Sequence, residues 1–268
     1  MVLRLLATLL VVLTLGLVAG PALAETDVPT EPNEPNEPNE PEEADVLRYE
    51  VYEELLQKYV DDRGRVDYAA WHASRLDRSL LNAFVGAIGT ADPTGKSRDA
   101  QLAFYLNAYN ALVIHDVLRR WPMTTVMDEE DFFDGRKHQV AGRSMTLDEL
   151  EHTEVIRPRF QEPRIHFVLV CAAIDCPRLR TTALTAANLE AELRAATREY
   201  IPSVTRQTGD STVETSKLFK WFAEDFEAHS GTVAAYLARY VTGDLRALLG
   251  QDDTTIEFAE YDWALNAR

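Results

Sequence analysis

Residues 163–180 read PRIHFVLVCAAIDCPRLR and hold both cysteines of the chain, Cys171 and Cys176, together with His166. Within them, 165–171 is apolar, partly β-branched and short, which predicts a buried strand. Period-two alternation sends His166, Val168 and Val170 to one face and Phe167, Leu169 and Cys171 to the other. Cys176 stands before Pro177, and a residue before proline is steered out of the α region, so Cys176 falls on an extended or turn segment. A thiol on a turn beside a strand that carries an imidazole marks the candidate site.

The N-terminus reads as a secretory signal peptide over 1–24. Arg4 is its positive residue, 5–18 is almost wholly apolar, and Ala22-Leu23-Ala24 is a small-x-small cleavage site. An uncleaved anchor is the competing reading, because the apolar run approaches spanning length. Gly20-Pro21 ahead of the cleavage site favours removal. Residues 25–45 repeat Pro-Asn-Glu and carry no Lys, Arg or aromatic side chain, so a disordered spacer is predicted there.

The formal charge of the whole chain is −17; Arg4 supplies +1 of it and 25–45 supply −9, which leaves −9 on 46–268. An acidic domain without a basic stripe argues against a nucleic-acid partner. No later segment is apolar enough to span a membrane. The expectation is therefore an exported mature chain, periplasmic or secreted, whose partner is a cell-envelope protein or peptide. Residues 46–268 are enough for one domain with a substantial core.

Helical spacing marks 46–60, 74–88 and 97–121, the last capped by Ser97 and stopped by Pro122. Asn107 and Asn110 sit at i,i+3 on this long helix, with Asn110 inside its apolar face. Asparagine is a poor interior helix residue, and a buried one must find partners. Two roles are open: tying down adjacent loops, or orienting a catalytic group or a substrate carbonyl. Around Ala141-Gly142, 138–145 reads as a hairpin, and Thr146 with Glu149 forms a capping-box pattern before a short helix over 147–153. Further helices are predicted from Thr185 to Tyr200 and over 215–226, 231–241 and 244–249, with a final strand over 255–263. Without a βαβ rhythm, the fold class is α+β: a helix-rich single domain around a small, mostly antiparallel sheet. No phosphate loop, cation loop or HExxH motif is present, and no cofactor is expected.

Four segments together resemble the domain of unknown function 547 family: LAFYLNAYNALVIH (102–115), PRIHFVLVCAAIDCPRL (163–179), SKLFKWFAEDF (216–226) and YDWALN (261–266). Val66-Asp67-Tyr68 and LDELEH (147–152) are lesser matches. Tyr105 stands where many relatives carry Trp. The resemblance implies a bacterial exported or membrane-associated domain with no settled reaction. It also implies a distant likeness to papain- or transglutaminase-like folds, in which a central helix packs on a strand that begins at a histidine.

Three chemistries fit these residues. A cysteine hydrolase or acyl transferase would use Cys176 as nucleophile, His166 as base, and Glu151 or Asn110 to orient the base. Asn107, Tyr109 and Arg164 would then bind substrate. Thiol nucleophiles favour helix N-termini, however, and none is evident near Pro177. A metal site from His152, His166, Cys171 and Cys176 has acceptable ligand types, but Cys171 faces away from His166 on a regular strand. A non-catalytic binding domain with a structural Cys171–Cys176 pair is the third, since exported thiols readily pair.

Overall fold

The computed structural model describes residues 45–268, which belong to one compact unit. The signal-peptide expectation and all but the last residue of the spacer expectation lie outside the described residues. Asp45, that last residue, accepts a hydrogen bond from the Ala186 amide at 2.8 Å.

The helices come first. Helices α1 (Glu50–Tyr59), α2 (Tyr68–Ala73) and α3 (Arg75–Thr90) precede α4 (Arg98–Arg120), the longest. Ser97 caps α4 through its side-chain oxygen, as the sequence predicts, and Ser74 caps α3 in the same way. Helix α4 is buried on nearly every side, which is why its apolar residues run almost without interruption from Leu102 to Leu118. Next come β1 (His138–Val140) and β2 (Arg143–Met145), an antiparallel hairpin. Ala141 and Gly142 both have positive φ, the backbone of a tight hairpin turn.

The capping box forms reciprocally. Thr146 N donates to Glu149 Oε2 at 2.8 Å, and Glu149 N donates to Thr146 Oγ1 at 3.0 Å. It opens a wide π-helical turn, Glu149–Glu154, and then α5 (Ile156–Phe160).

The segment 165–171 is not a strand. Pro163–Phe167 is a 3-10 turn, and 168–171 runs on without a ladder partner. The reason lies in α4. Asn110 Nδ2 donates to Val168 O at 2.8 Å, and its Oδ1 accepts from Val170 N at 3.0 Å. One side-chain amide thus satisfies the backbone groups that a neighbouring strand would have taken. Asn107 does the same for Leu184, donating at 2.7 Å and accepting at 3.0 Å. Both asparagines are tethers, and Asn110 does not orient the histidine. With no strand beginning at His166, the papain- or transglutaminase-like pairing of helix and strand is absent.

Helix α6 (Leu189–Val204) starts four residues later than expected and absorbs Pro202 in its last turn. A second sheet then orders β3 (Arg206–Gln207), β4 (Thr212–Thr215) and β5 (Thr255–Phe258); β3–β4 is antiparallel and β4–β5 parallel. The sequence missed β3 and β4 and assigned Thr215 to a helix. In place of that helix stand α7 (Leu218–Trp221) and α8 (Ala223–Ser230), broken at Phe222. Helices α9 (Val233–Ala238) and α10 (Gly243–Leu249) complete the crossover to β5. The fold is α+β, with two small sheets and an antiparallel majority of pairings rather than one sheet. Among the described residues no helix is long and apolar enough to cross a membrane.

Candidate functional site

The C-terminal segment after β5 closes the site. Ile174 N donates to Ala264 O at 2.8 Å and Asn266 N to Ala172 O at 2.9 Å, which seats 261–266 against the cysteine loop. Beside this seam lies a cleft of about 220 Å³. Its rings are Tyr109 from α4, Phe133, Trp221 and Phe222 from the α7–α8 break, and Tyr261 and Trp263 from the tail. Asp148, Glu151, His152 and His166 supply its polar lining, and Cys171 and Cys176 form part of one wall.

Trp221, Tyr261 and Trp263 pack on one another with centroid separations of 4.8 to 5.7 Å. Trp263 is half-buried, and Trp221 is 44% exposed. An indole left this open on a cleft rim is available for contact with a ligand.

His166 is the best-placed titratable group. It is 2% exposed and stacks on Phe222, with centroids 3.9 Å apart. Its Nε2 lies 2.6 Å from Asp225 Oδ2, and Arg157 grips the same carboxylate through two hydrogen bonds of 2.7 and 3.0 Å. Its Nδ1 faces Glu151 Oε1 at 3.9 Å and has no hydrogen-bond partner among the described residues. Burial, the largest influence, pulls the imidazole pKa down against the opposing pull of Asp225 and Glu151. Burial also opposes ionisation of Asp225, but the bonds from His166 and Arg157 outweigh it and hold that carboxyl well below its usual range. The neutral ring therefore carries its proton on Nε2, toward Asp225, and keeps a lone pair on Nδ1. Burial raises the phenols of Tyr109, also pushed up by Glu151 nearby, and of Tyr261, so both are neutral donors.

Cys171 and Cys176 are joined in a disulfide with Cα atoms 6.3 Å apart. Cys176 therefore holds no free thiol in this structure, and the predicted nucleophile is masked. Nor does any hydrogen bond among the described residues join His166 to either sulfur. The Tyr261 hydroxyl approaches both instead, 3.3 Å from Cys176 Sγ and 3.6 Å from Cys171 Sγ. No group of three or more His, Cys, Asp or Glu among the described residues is arranged to hold a metal ion, and both sulfurs of the Cys/His set are bonded to each other.

The sequence-predicted residues divide accordingly. His166, Glu151, Tyr109 and Cys176 line the cleft, and Asn107 and Asn110 stand behind it as tethers. Arg164 does not line it; its guanidinium is tied to Glu162 at 2.8 Å and Glu190 at 2.9 Å. Asp225 and Tyr261 went unassigned. The available signal for Asp225 was an acid three residues after Phe222 in an otherwise aromatic segment; no local pattern points to Tyr261.

No curated protein and no solved structure matches the chain. Residues 93–201, from just before α4 into α6, match the model of the family described as a protein of unknown function, DUF547. Over these 109 residues, less than half of the chain, the protein is similar to that family.

Proposed function

We propose that the cleft is a binding site for an organic cation, either a small amine or a basic side chain of a cell-envelope peptide. The Cys171–Cys176 disulfide is a fixed part of its wall. The lining carries this reading: aromatic rings and the carboxylates of Asp148 and Glu151, with no Lys or Arg. Aromatic faces attract a desolvated cation by up to about 2 kcal/mol, and flanking carboxylates add to this. A disulfide persists in an oxidising compartment, which supports the exported location that the N-terminus suggests.

The test is a titration with benzyltrimethylammonium and with its uncharged isostere neopentylbenzene, following the indole NMR signals of Trp221 and Trp263. The cation should shift both signals saturably and the isostere should do so far more weakly. Equal responses would reduce the cleft to a hydrophobic slot.

A second reading, a thiol-dependent hydrolase or acyl transferase, is favoured by one observation: both sulfurs share the lining of the cleft with His166, whose Nε2 is held by Asp225 outside that lining. It requires a dithiol reductant, which donates two electrons and two protons and leaves Cys176 as a free thiol. The unprotonated Nδ1 of His166 would then take the thiol proton as Sγ attacks an acyl carbon. It would return that proton to the alcohol or thiol that leaves as the acyl–oxygen or acyl–sulfur bond breaks. Water, or an acceptor nucleophile, then releases the acyl group from Sγ. Reductant-dependent cleavage of a thioester or activated ester, abolished in Cys176→Ser, would support this reading over simple binding.

A further inference from the structure

A second cavity, of about 500 Å³, lies between α2, the first turns of α3 and the last turns of α4. Three arginines line it: Arg75 and Arg78 from α3, and Arg119 from α4. None of their guanidiniums makes a hydrogen bond, ion pair or ring contact with another described residue, and Arg78 Nε is buried without a partner. Several arginines elsewhere pack near acids and are paired. Arg178 and Arg180 are both bonded to Glu199, and Arg164 to Glu162 and Glu190.

No Asp or Glu lines the groove, although the domain around it is acidic. The carboxylates behind its walls are already engaged. Asp77 takes hydrogen bonds from Lys58 and Tyr59. Asp116 is fully buried among Arg120, Arg136, His115 and His138. The remaining polar lining, Ser79, Asn82 and the imidazoles of His72 and His115, consists of groups able to donate to an oxyanion.

We infer that this groove binds a phosphate-bearing ligand through Arg75, Arg78 and Arg119. Three guanidiniums gather more positive charge than one carboxylate balances, and their planar forks match phosphate oxygens two at a time. The site is separate from the aromatic cleft, shares no lining residue with it, and is opposite in charge preference. The same chemistry is offered by a soluble phosphate ester and by an anionic lipid headgroup.

Two measurements on the oxidised protein test it. Calorimetric titration with inorganic pyrophosphate probes the soluble source. Sedimentation with phosphatidylcholine vesicles, with and without phosphatidic acid, probes the lipid one. Binding to either probe should weaken at least tenfold in Arg75→Ala/Arg119→Ala, whose sites are exposed, and in Arg78→Ala. The control Arg246→Ala on α10 should leave it unchanged, and thermal melts should show all variants folded. Pyrophosphate binding without vesicle binding assigns a soluble ester; vesicle binding that needs phosphatidic acid and is lost in the double variant assigns a headgroup. Failure to bind both probes, or equal affinity in wild type and the double variant, overturns the inference.

Discussion

His166 and Asp225, 59 residues apart in the chain, meet at 2.6 Å beneath the cleft, with Arg157 closing the far side of the carboxylate. This contact fixes the imidazole tautomer, because an ionised Asp225 accepts the Nε2 proton and leaves Nδ1 bare. Nitrogen NMR of labelled protein at pH 7 should show His166 neutral, with its proton on Nε2. Asp225→Asn should disturb that tautomer. A doubly protonated ring at pH 7 would contradict the burial argument.

The asparagine tethers carry a stability prediction. Asn110→Leu keeps the branched outline of the side chain but orphans Val168 O and Val170 N inside the core. It should cost roughly 1–3 kcal/mol in denaturant unfolding. Asn107→Leu, which frees both backbone groups of Leu184, should cost a similar amount. An unchanged midpoint in either variant would mean that the loops hold themselves.

The disulfide joins residues only five apart in sequence. Chain-entropy reasoning for so small a loop gives about 2 kcal/mol of stabilisation. Protein purified without reductant should show no reactive thiol, and two after reduction and unfolding. Reduction should lower the unfolding free energy by about that amount.

Acid should destabilise the domain through Asp77. Hydrogen bonds from Lys58 and Tyr59 outweigh the effect of burial and hold its carboxyl at about 2 instead of the ordinary 3.8. Below pH 4 the unfolded chain binds this proton before the native one does, so stability rises with pH across that window and is lost as pH falls through it. Asp77→Asn should flatten the pH dependence of the melting temperature between about pH 2 and pH 4.

Much of the helical scaffold was legible because its signals are local. Ser74, Ser97 and the Thr146/Glu149 box mark helix starts through hydrogen bonds within three residues, and Ala141-Gly142 marks its own turn. The 165–171 stretch misled for a physical reason. A short apolar run reads alike in a strand and in a buried irregular segment, and what decides here is an amide from Asn110, 60 residues away. The same holds for β4, whose parallel partner β5 lies across four helices. His166 and Glu151 were legible as candidates because imidazole and carboxylate beside apolar runs stand out. Asp225 and Tyr261 were not, since they matter only through folding that brings distant segments to one cleft.

Calorimetric titration of benzyltrimethylammonium into the oxidised protein tests the cation-binding cleft most directly. Wild type should bind saturably at one site, and Trp221→Ala should weaken binding about tenfold, the value of one cation–π face. Glu151→Gln should weaken it further than any change at Arg164, which lies outside the cleft. No saturable binding, or affinity unchanged in both Trp221→Ala and Glu151→Gln, would contradict the account.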